Sequence, residues 1–251
     1  MKGVLALLLL AGTLARANSP TPLIAVVVGE NEYRTWETLP EFAARELTPR
    51  GLAVAWVQSS TNVTDMVFTN VEALARADLI LVSARRRTPP ARMMELLRAH
   101  LAAGKPLAGI RTACHAFALR KGSPAPGLAD WPEFDREVFG ADCLGHHGAG
   151  DTTVTAPAEA NSHPILAGLP DTFASTSTLY QFEHPSPTLR VLLRGARTEP
   201  AGDQPLAWVN QAGASRIFFT SLGGPEDFAN PAFRRLLRNG IDWCLDRKET
   251  P

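Results

Sequence analysis

The chain has no net formal charge: 25 basic residues balance 25 acidic ones. Nucleic acid or an anionic membrane therefore has no global electrostatic claim as a partner. Cysteine is scarce. Cys114, Cys143 and Cys244 are the only three, an odd number that allows at most one disulfide and leaves a thiol free. Neither HxxxH nor paired CxxC occurs, and Cys143 with His146 three residues on is a faint metal pattern, so no metal and no cofactor are expected. Repeats, linkers and low-complexity stretches are also missing, which makes one domain the economical reading. With 251 residues, 45% of them hydrophobic and 20% charged, the composition is that of a globular chain with a sizeable core, not of a disordered one.

The N-terminus reads as a secretory signal peptide. Met1-Lys2 is a short basic start, Val4 to Ala15 is apolar, and Ala15-Arg16-Ala17 fits a small-x-small cleavage site before Asn18. The apolar run is too short to span a bilayer, although an uncleaved anchor is the competing reading. No cysteine lies near the cleavage point, as a lipoprotein would need. Loss of residues 1–17 removes Lys2 and Arg16 and leaves 23 basic against 25 acidic residues. The expected product is an exported, mildly acidic protein over residues 18–251, periplasmic or extracellular, with no membrane contact after cleavage.

Beyond that point strand and helix patterns alternate. Leu23–Gly29 is a continuous apolar run of the kind buried in parallel sheets. Trp36–Arg50 follows with helical spacing and a Gly51 stop, then a strand at Leu52–Gln58 and another at Asp78–Ser83. Pro89–Ala103 is a helix closed by Gly104, and Pro106–Arg111 a fourth strand. Such β-α-β repetition predicts an α/β fold: a three-layer, doubly wound, mostly parallel sheet. The second half has short strands instead, at Thr152–Thr155, Arg190–Arg194, Leu206–Asn210 and Arg216–Ser221, expected to be partly antiparallel. A last helix runs from Pro231 to Arg247, with Asn230 as N-cap.

The richest segment is Pro106–Leu119, PLAGIRTACHAFAL, which reads as strand, sharp turn and helix start. That is the layout of a nucleophile elbow, with Arg111, Thr112, Cys114 and His115 on the turn. Ligands of open α/β sheets bind beyond the carboxyl ends of the strands. Three other polar loops should meet the elbow there. They are Glu30, Asn31, Glu32 and Tyr33 after the first strand; Arg85, Arg86 and Arg87 after the third; and Ser221, Gly223, Gly224, Glu226 and Asp227 after the last. The elbow and these loops yield Cys114, His115 and Glu30 as catalytic candidates. Arg85, Arg87, Arg111, Tyr33 and Ser221 are the binding candidates, joined by His146 and His147 from WPEFDREVFGADCLGHHG. Adjacent His146 and His147 on an extended backbone point to opposite sides, so at most one faces a pocket. His163 and His184 precede prolines in loops, and Cys244 reads as core filler.

The segments GENEYRTWETLPEFA, SARRRTPP, GKPLAGIRTACHAFAL, WPEFDREVFGADCLGHHG, HPILAGLP and FFTSLGGPEDFANPAFRRLLRNGIDW together resemble the ThuA-like (trehalose utilisation) family. The resemblance covers nearly all of the chain after residue 17. It implies the flavodoxin-like, class I glutamine amidotransferase-like fold, and a carbohydrate or keto-sugar ligand in saccharide catabolism. The chain departs from similar sequences at two places: Cys114 stands where the elbow commonly has Ser, and Ser221-Leu222-Gly223-Gly224 stands where SLGH is frequent. The second departure removes the histidine that a Cys-His amidotransferase would use, and His115, next to Cys114 in the chain, is expected to be poorly placed as its base. Three readings follow: a protein acting on a carbohydrate, a non-catalytic carbohydrate-binding module, and a Cys114-dependent amidohydrolase. The oligomeric state is left open.

Overall fold

A computed structural model describes residues 21–247 except Val63, Ala149, Glu199 and Pro200. The signal peptide expected at residues 1–17 lies outside the described residues. The first half is β1 (Leu23–Gly29), α1 (Thr35–Phe42), β2 (Ala53–Gln58), α2 (Ala73–Arg76), β3 (Leu79–Ala84), α3 (Ala91–Ala102) and β4 (Leu107–Ile110). The second is β5 (Asp142–His147), β6 (Thr152–Thr155), β7 (Thr172–Ser175), β8 (Leu179–Glu183), β9 (Arg190–Thr198), β10 (Ala201–Ala212), β11 (Ser215–Thr220), α4 (Pro225–Ala229) and α5 (Pro231–Cys244).

Among the described residues, nine strands form one sheet in the order β2-β1-β3-β4-β11-β10-β9-β6-β7. The pairs from β2 to β11 are parallel, and those from β11 to β7 are antiparallel. The sheet is therefore mixed: the first-half strands pair parallel with one another and with β11, and the second-half strands pair antiparallel. Alternation along β1 explains the burial on both faces. Ile24, Val26 and Val28 join Leu39 and Phe42 of α1 and Leu236, Leu237 and Ile241 of α5 in one apolar cluster. Ala25 and Val27 join Leu74 of α2 and Met93, Met94 and Leu97 of α3 in the other. No helix among the described residues is long and apolar enough to cross a membrane.

The breaks in the elements follow from local chemistry. The long helix expected to Arg50 is α-helical only to Phe42, widens into a π-turn at Ala43–Leu47, and tightens into a 3₁₀ turn at Thr48–Arg50. Pro40 lies inside α1 and has no N–H to donate to the helix ladder. Gly51 and Gly104 close their helices at φ 73°, where a side chain would be strained. Asn230 accepts a hydrogen bond from Ala232 N at 2.9 Å and opens α5 at Pro231. α5 packs so closely on β11 that a Cβ on Gly240 would collide with the Phe218 ring.

β5 and β8 form a separate antiparallel ribbon beside the main sheet. Neither strand belongs to the predicted set. The ribbon matters because it brings His146, Cys143 and Tyr180 to the end of the sheet where β1, β3, β4 and β11 finish.

Candidate active site

Strands β1, β3, β4 and β11 run parallel, so their following loops emerge at one edge. The loop after β1 is organised by Glu30, which is buried. Its carboxylate accepts the N–H groups of Glu32, Tyr33 and Thr35 and the Thr35 hydroxyl, all at 2.7 Å. Thr35 Oγ1 in turn lies 2.8 Å from Ser83 Oγ on β3. Glu30 thus ties the start of α1 to two strands, and its oxygens are taken.

The loop after β3 is zipped to the elbow. Arg86 N and Arg87 N donate to the carbonyls of His115 and Ala116 at 3.0 and 2.7 Å. The Arg87 side chain is fully buried and donates to the carbonyls of Gly29, Ser60, Asn62 and Asp65. It clamps a neighbouring loop and does not reach the cavity. Arg85 instead pairs with Glu32 at 2.8 Å. Arg86 keeps one donor on the Ala118 carbonyl at 3.0 Å, and burial together with Arg120 and Arg85 pulls its pKa down.

The elbow is a 3₁₀ turn, Arg111–His115, and it begins at Arg111 with φ 54°, a left-handed conformation that costs about 1 kcal/mol or more for a non-glycine residue. Arg111 holds the strain in place by pointing inward. Its guanidinium donates to the Ser221 carbonyl at 2.6 Å and the Thr178 carbonyl at 3.0 Å, and also to the Thr178 hydroxyl. The Tyr33 and Tyr180 rings sit 4.3 and 4.7 Å from its central carbon. Arg111 therefore joins the loops after β1, β4 and β11 beneath the cavity, without lining it. Ser221 is likewise fully buried.

Cys114 is buried at the end of this turn. His115 Nδ1 lies 3.2 Å from its Sγ, so the histidine does reach the thiol, contrary to the expectation from their adjacency. Cys143 Sγ lies 2.9 Å from Cys114 Sγ, and its backbone N–H is held by Asp135 at 3.0 Å. The proton states oppose a thiolate. Desolvation and the neighbouring thiol push the Cys114 pKa well up. Burial and the guanidiniums of Arg86, Arg85 and Arg120 push His115 down to about 3. Both groups are neutral at ordinary pH, and no Cys-His ion pair forms.

Above these residues opens a cavity of about 260 Å³, lined among others by Tyr33, Arg85, Arg86, His115, Arg120 and His146. Glu32 is its one lining carboxylate among the described residues. Two larger cavities, each about 370 Å³, take no residue from the four strand-end loops. The two histidines of β5 point to opposite sides. His146 lines the cavity with its ring 6.1 Å from that of Tyr180, and His147 Nε2 accepts from Gln181 at 3.2 Å outside it. Of the sequence candidates, Tyr33, Arg85, His115 and His146 meet at the cavity and Cys114 sits under it. Glu30, Arg87, Arg111 and Ser221 brace the walls, and His147 lies apart.

Arg120, Tyr180 and Cys143 escaped the sequence candidates. Arg120 follows the elbow in the basic pair Arg120-Lys121 and could have been flagged from that pair alone. Tyr180 and Cys143 arrive on the β5–β8 ribbon; no spacing announces Tyr180, and Cys143 offers only its three-residue spacing to His146. Downstream of β11, Gly223 N and Gly224 N donate to Asp227 Oδ2 at 2.8 and 2.9 Å, and Asp227 also accepts from Ser175 and Ser177. A Cβ at Gly224 would press on Ser177 Oγ, so this polar knot leaves no room for a side chain there. His163 caps a turn and packs on Trp243, while His184 is an exposed turn residue paired with Asp142 at 2.9 Å.

The described residues thus form a mixed α/β sheet with an arginine- and histidine-lined cavity at its strand ends. The chain belongs to the ThuA (trehalose utilisation) family, whose sequence profile it matches over residues 25–244. Membership implies a role in sugar metabolism. A putative ThuA-like protein from Parabacteroides merdae superposes with TM-score 0.69 at 17% identity, covering 92% of this chain and 93% of that one. One from Bacteroides uniformis gives 0.64 at 16%, with 91% and 93% covered. A cytoplasmic protein from Salmonella typhimurium gives 0.54 at 13%, with 89% and 97% covered. No curated protein matches the chain significantly in sequence.

Proposed function

We propose that the chain is an exported protein of saccharide catabolism that takes a carbohydrate or keto-sugar into the cavity at the strand ends and acts on it. The observation that carries this reading is the cavity wall. Arg85, Arg86, Arg120, His146 and Tyr33 present polar side chains around one space. Guanidinium forks suit vicinal hydroxyls and carbonyl or carboxylate oxygens, and aromatic edges suit sugar faces. His115 and His146 would serve proton transfer. Helices on both sheet faces support the three-layer, doubly wound, flavodoxin-like plan, and the 18–251 segment is read as one domain released by cleavage before Asn18.

One observation favours a second reading, a non-catalytic carbohydrate-binding module. Hydrolysis of a glycosidic bond commonly needs two facing carboxyl groups, and among the described residues Glu32 is the one acid on the wall, already paired with Arg85. The amidohydrolase reading loses ground because Cys114 is a buried, protonated thiol. A thermal-shift panel of trehalose, glucose and keto-sugars, followed by product analysis after long incubation, separates the two. Binding with turnover supports the first reading, saturable binding without product supports the second, and no shift with any sugar removes both.

A further inference from the structure

We propose that Cys114, His115 and Cys143 form a binding site for a thiophilic divalent metal ion of the zinc class, with an open coordination position facing the cavity. The residues come from two separate elements, the turn after β4 and strand β5, and they converge to 2.9 Å (Cys114 Sγ to Cys143 Sγ), 3.2 Å (Cys114 Sγ to His115 Nδ1) and 3.8 Å (Cys143 Sγ to His115 Nδ1). These three donor atoms form the one such cluster of histidine, cysteine or acidic groups among the described residues. The site does not depend on the carbohydrate reading.

The donor set selects the ion. Two sulfurs and one imidazole nitrogen favour zinc and its soft neighbours over calcium or magnesium, which prefer oxygen. Metal–sulfur bonds of about 2.3 Å and metal–nitrogen bonds of about 2.0 Å, at tetrahedral angles, place ligand atoms about 3.5–3.8 Å apart. The Cys143–His115 distance already falls at that value, and the two sulfurs need to part by about 0.9 Å, a small rotation of Cys143 on the ribbon. Three protein ligands with a fourth position left open is the pattern of catalytic rather than structural zinc. Here the fourth position faces the cavity, where His115 and Cys143 stand in the wall beside His146.

The charges close as well. A bare dication beside Arg85, Arg86 and Arg120 would be repelled, but a dication with two thiolates is neutral. As the two metal–sulfur bonds form, the two S–H protons pass to solvent, and nothing is oxidised or reduced. Asp135, by holding the Cys143 N–H, fixes the backbone from which one ligand projects.

The test is cobalt(II) titration of the full chain, purified under a phosphine reductant and stripped with chelator. The expected result is a thiolate-to-cobalt charge-transfer band with tetrahedral visible bands, saturating at one ion per chain and bleached by zinc. Cys114→Ser and Cys143→Ser should each weaken or abolish the band, and His115→Ala should lower affinity at least about ten-fold with the sulfurs intact. Cys244→Ser, in α5 away from the site, should leave it unchanged. Circular dichroism confirms that each variant is folded, and Cys143, the half-buried ligand, supplies the decisive variant should Cys114→Ser not fold. Absence of the band in reduced, folded wild-type protein overturns the site. So does a full-strength band in Cys143→Ser, and so does a Cys114–Cys143 disulfide that persists under the reductant and leaves no thiols to bind.

Discussion

Replacing Arg111 with methionine separates a bracing role from a ligand-binding one. The guanidinium is buried, with no acidic partner among the described residues, and donates to the Ser221 and Thr178 carbonyls and the Thr178 hydroxyl. Hydrogen bonds from a charged donor are worth about 1.5–3 kcal/mol each. The two tyrosine faces add about 1 kcal/mol apiece. Against that gross loss of about 6.5–11 kcal/mol stands the relief of desolvating a buried charge, several kcal/mol in favour of the apolar variant. Methionine fills much of the volume but leaves two carbonyls unsatisfied, so the net destabilisation should be about 3–4 kcal/mol. Urea unfolding followed by far-UV circular dichroism reads this as a drop in midpoint at unchanged slope. A loss under about 1 kcal/mol, together with weakened sugar binding, would refute the bracing role and put Arg111 among the ligand contacts.

Three further outcomes follow from the packing. Gly240→Ala forces a methyl group into the Phe218 ring, and should cost about 1–3 kcal/mol in chemical unfolding while leaving any binding at the opposite, strand-end edge intact. Asp227→Ala strips Gly223 N, Gly224 N, Ser175 and Ser177 of one shared acceptor, and a fall in Tm equivalent to about 2–4 kcal/mol is expected. His100 is buried with Nε2 on the Pro106 carbonyl at 2.8 Å and with Nδ1 unpartnered, and desolvation lowers its pKa. The unfolded chain then binds a proton near pH 6.5 that the folded chain refuses. Stability contributed by neutral His100 is present above that pH and declines as pH falls below it. Urea midpoints from pH 7.5 to 5 should show this decline, and a His100→Gln variant should show a shallower one.

How far the sequence revealed this molecule depends on the range of the signal. β1 is legible to the residue because an unbroken apolar run fits a strand buried on both faces, and Gly51, Gly104 and Asn230-Pro231 mark their helix ends by backbone chemistry alone. β5 was not legible: DCLGHH is half-polar and carries a glycine, and only pairing with β8 across the ribbon makes it a strand. The site divides in the same way. Arg85, His115 and Tyr33 could be placed because each follows a strand whose direction was readable. Whether a strand-end polar residue faces outward or inward was not readable. Glu30, Arg87 and Arg111 turn inward because the carbonyls and N–H groups of neighbouring loops, set by tertiary packing, capture them first. The approach of Cys143 to Cys114 has no sequence spacing at all, since it comes from folding the ribbon back over the elbow.

The central claim is that the arginine- and histidine-lined cavity at the strand ends is where a sugar ligand binds. Isothermal titration of the wild-type chain and of Arg86→Ala and His146→Ala, with whichever of trehalose, glucose or the keto-sugars gives the largest thermal shift, tests it directly. The account predicts saturable one-to-one binding to wild type and a loss of at least ten-fold, about 1.4 kcal/mol, in each folded variant. Unchanged affinity in both variants would contradict it.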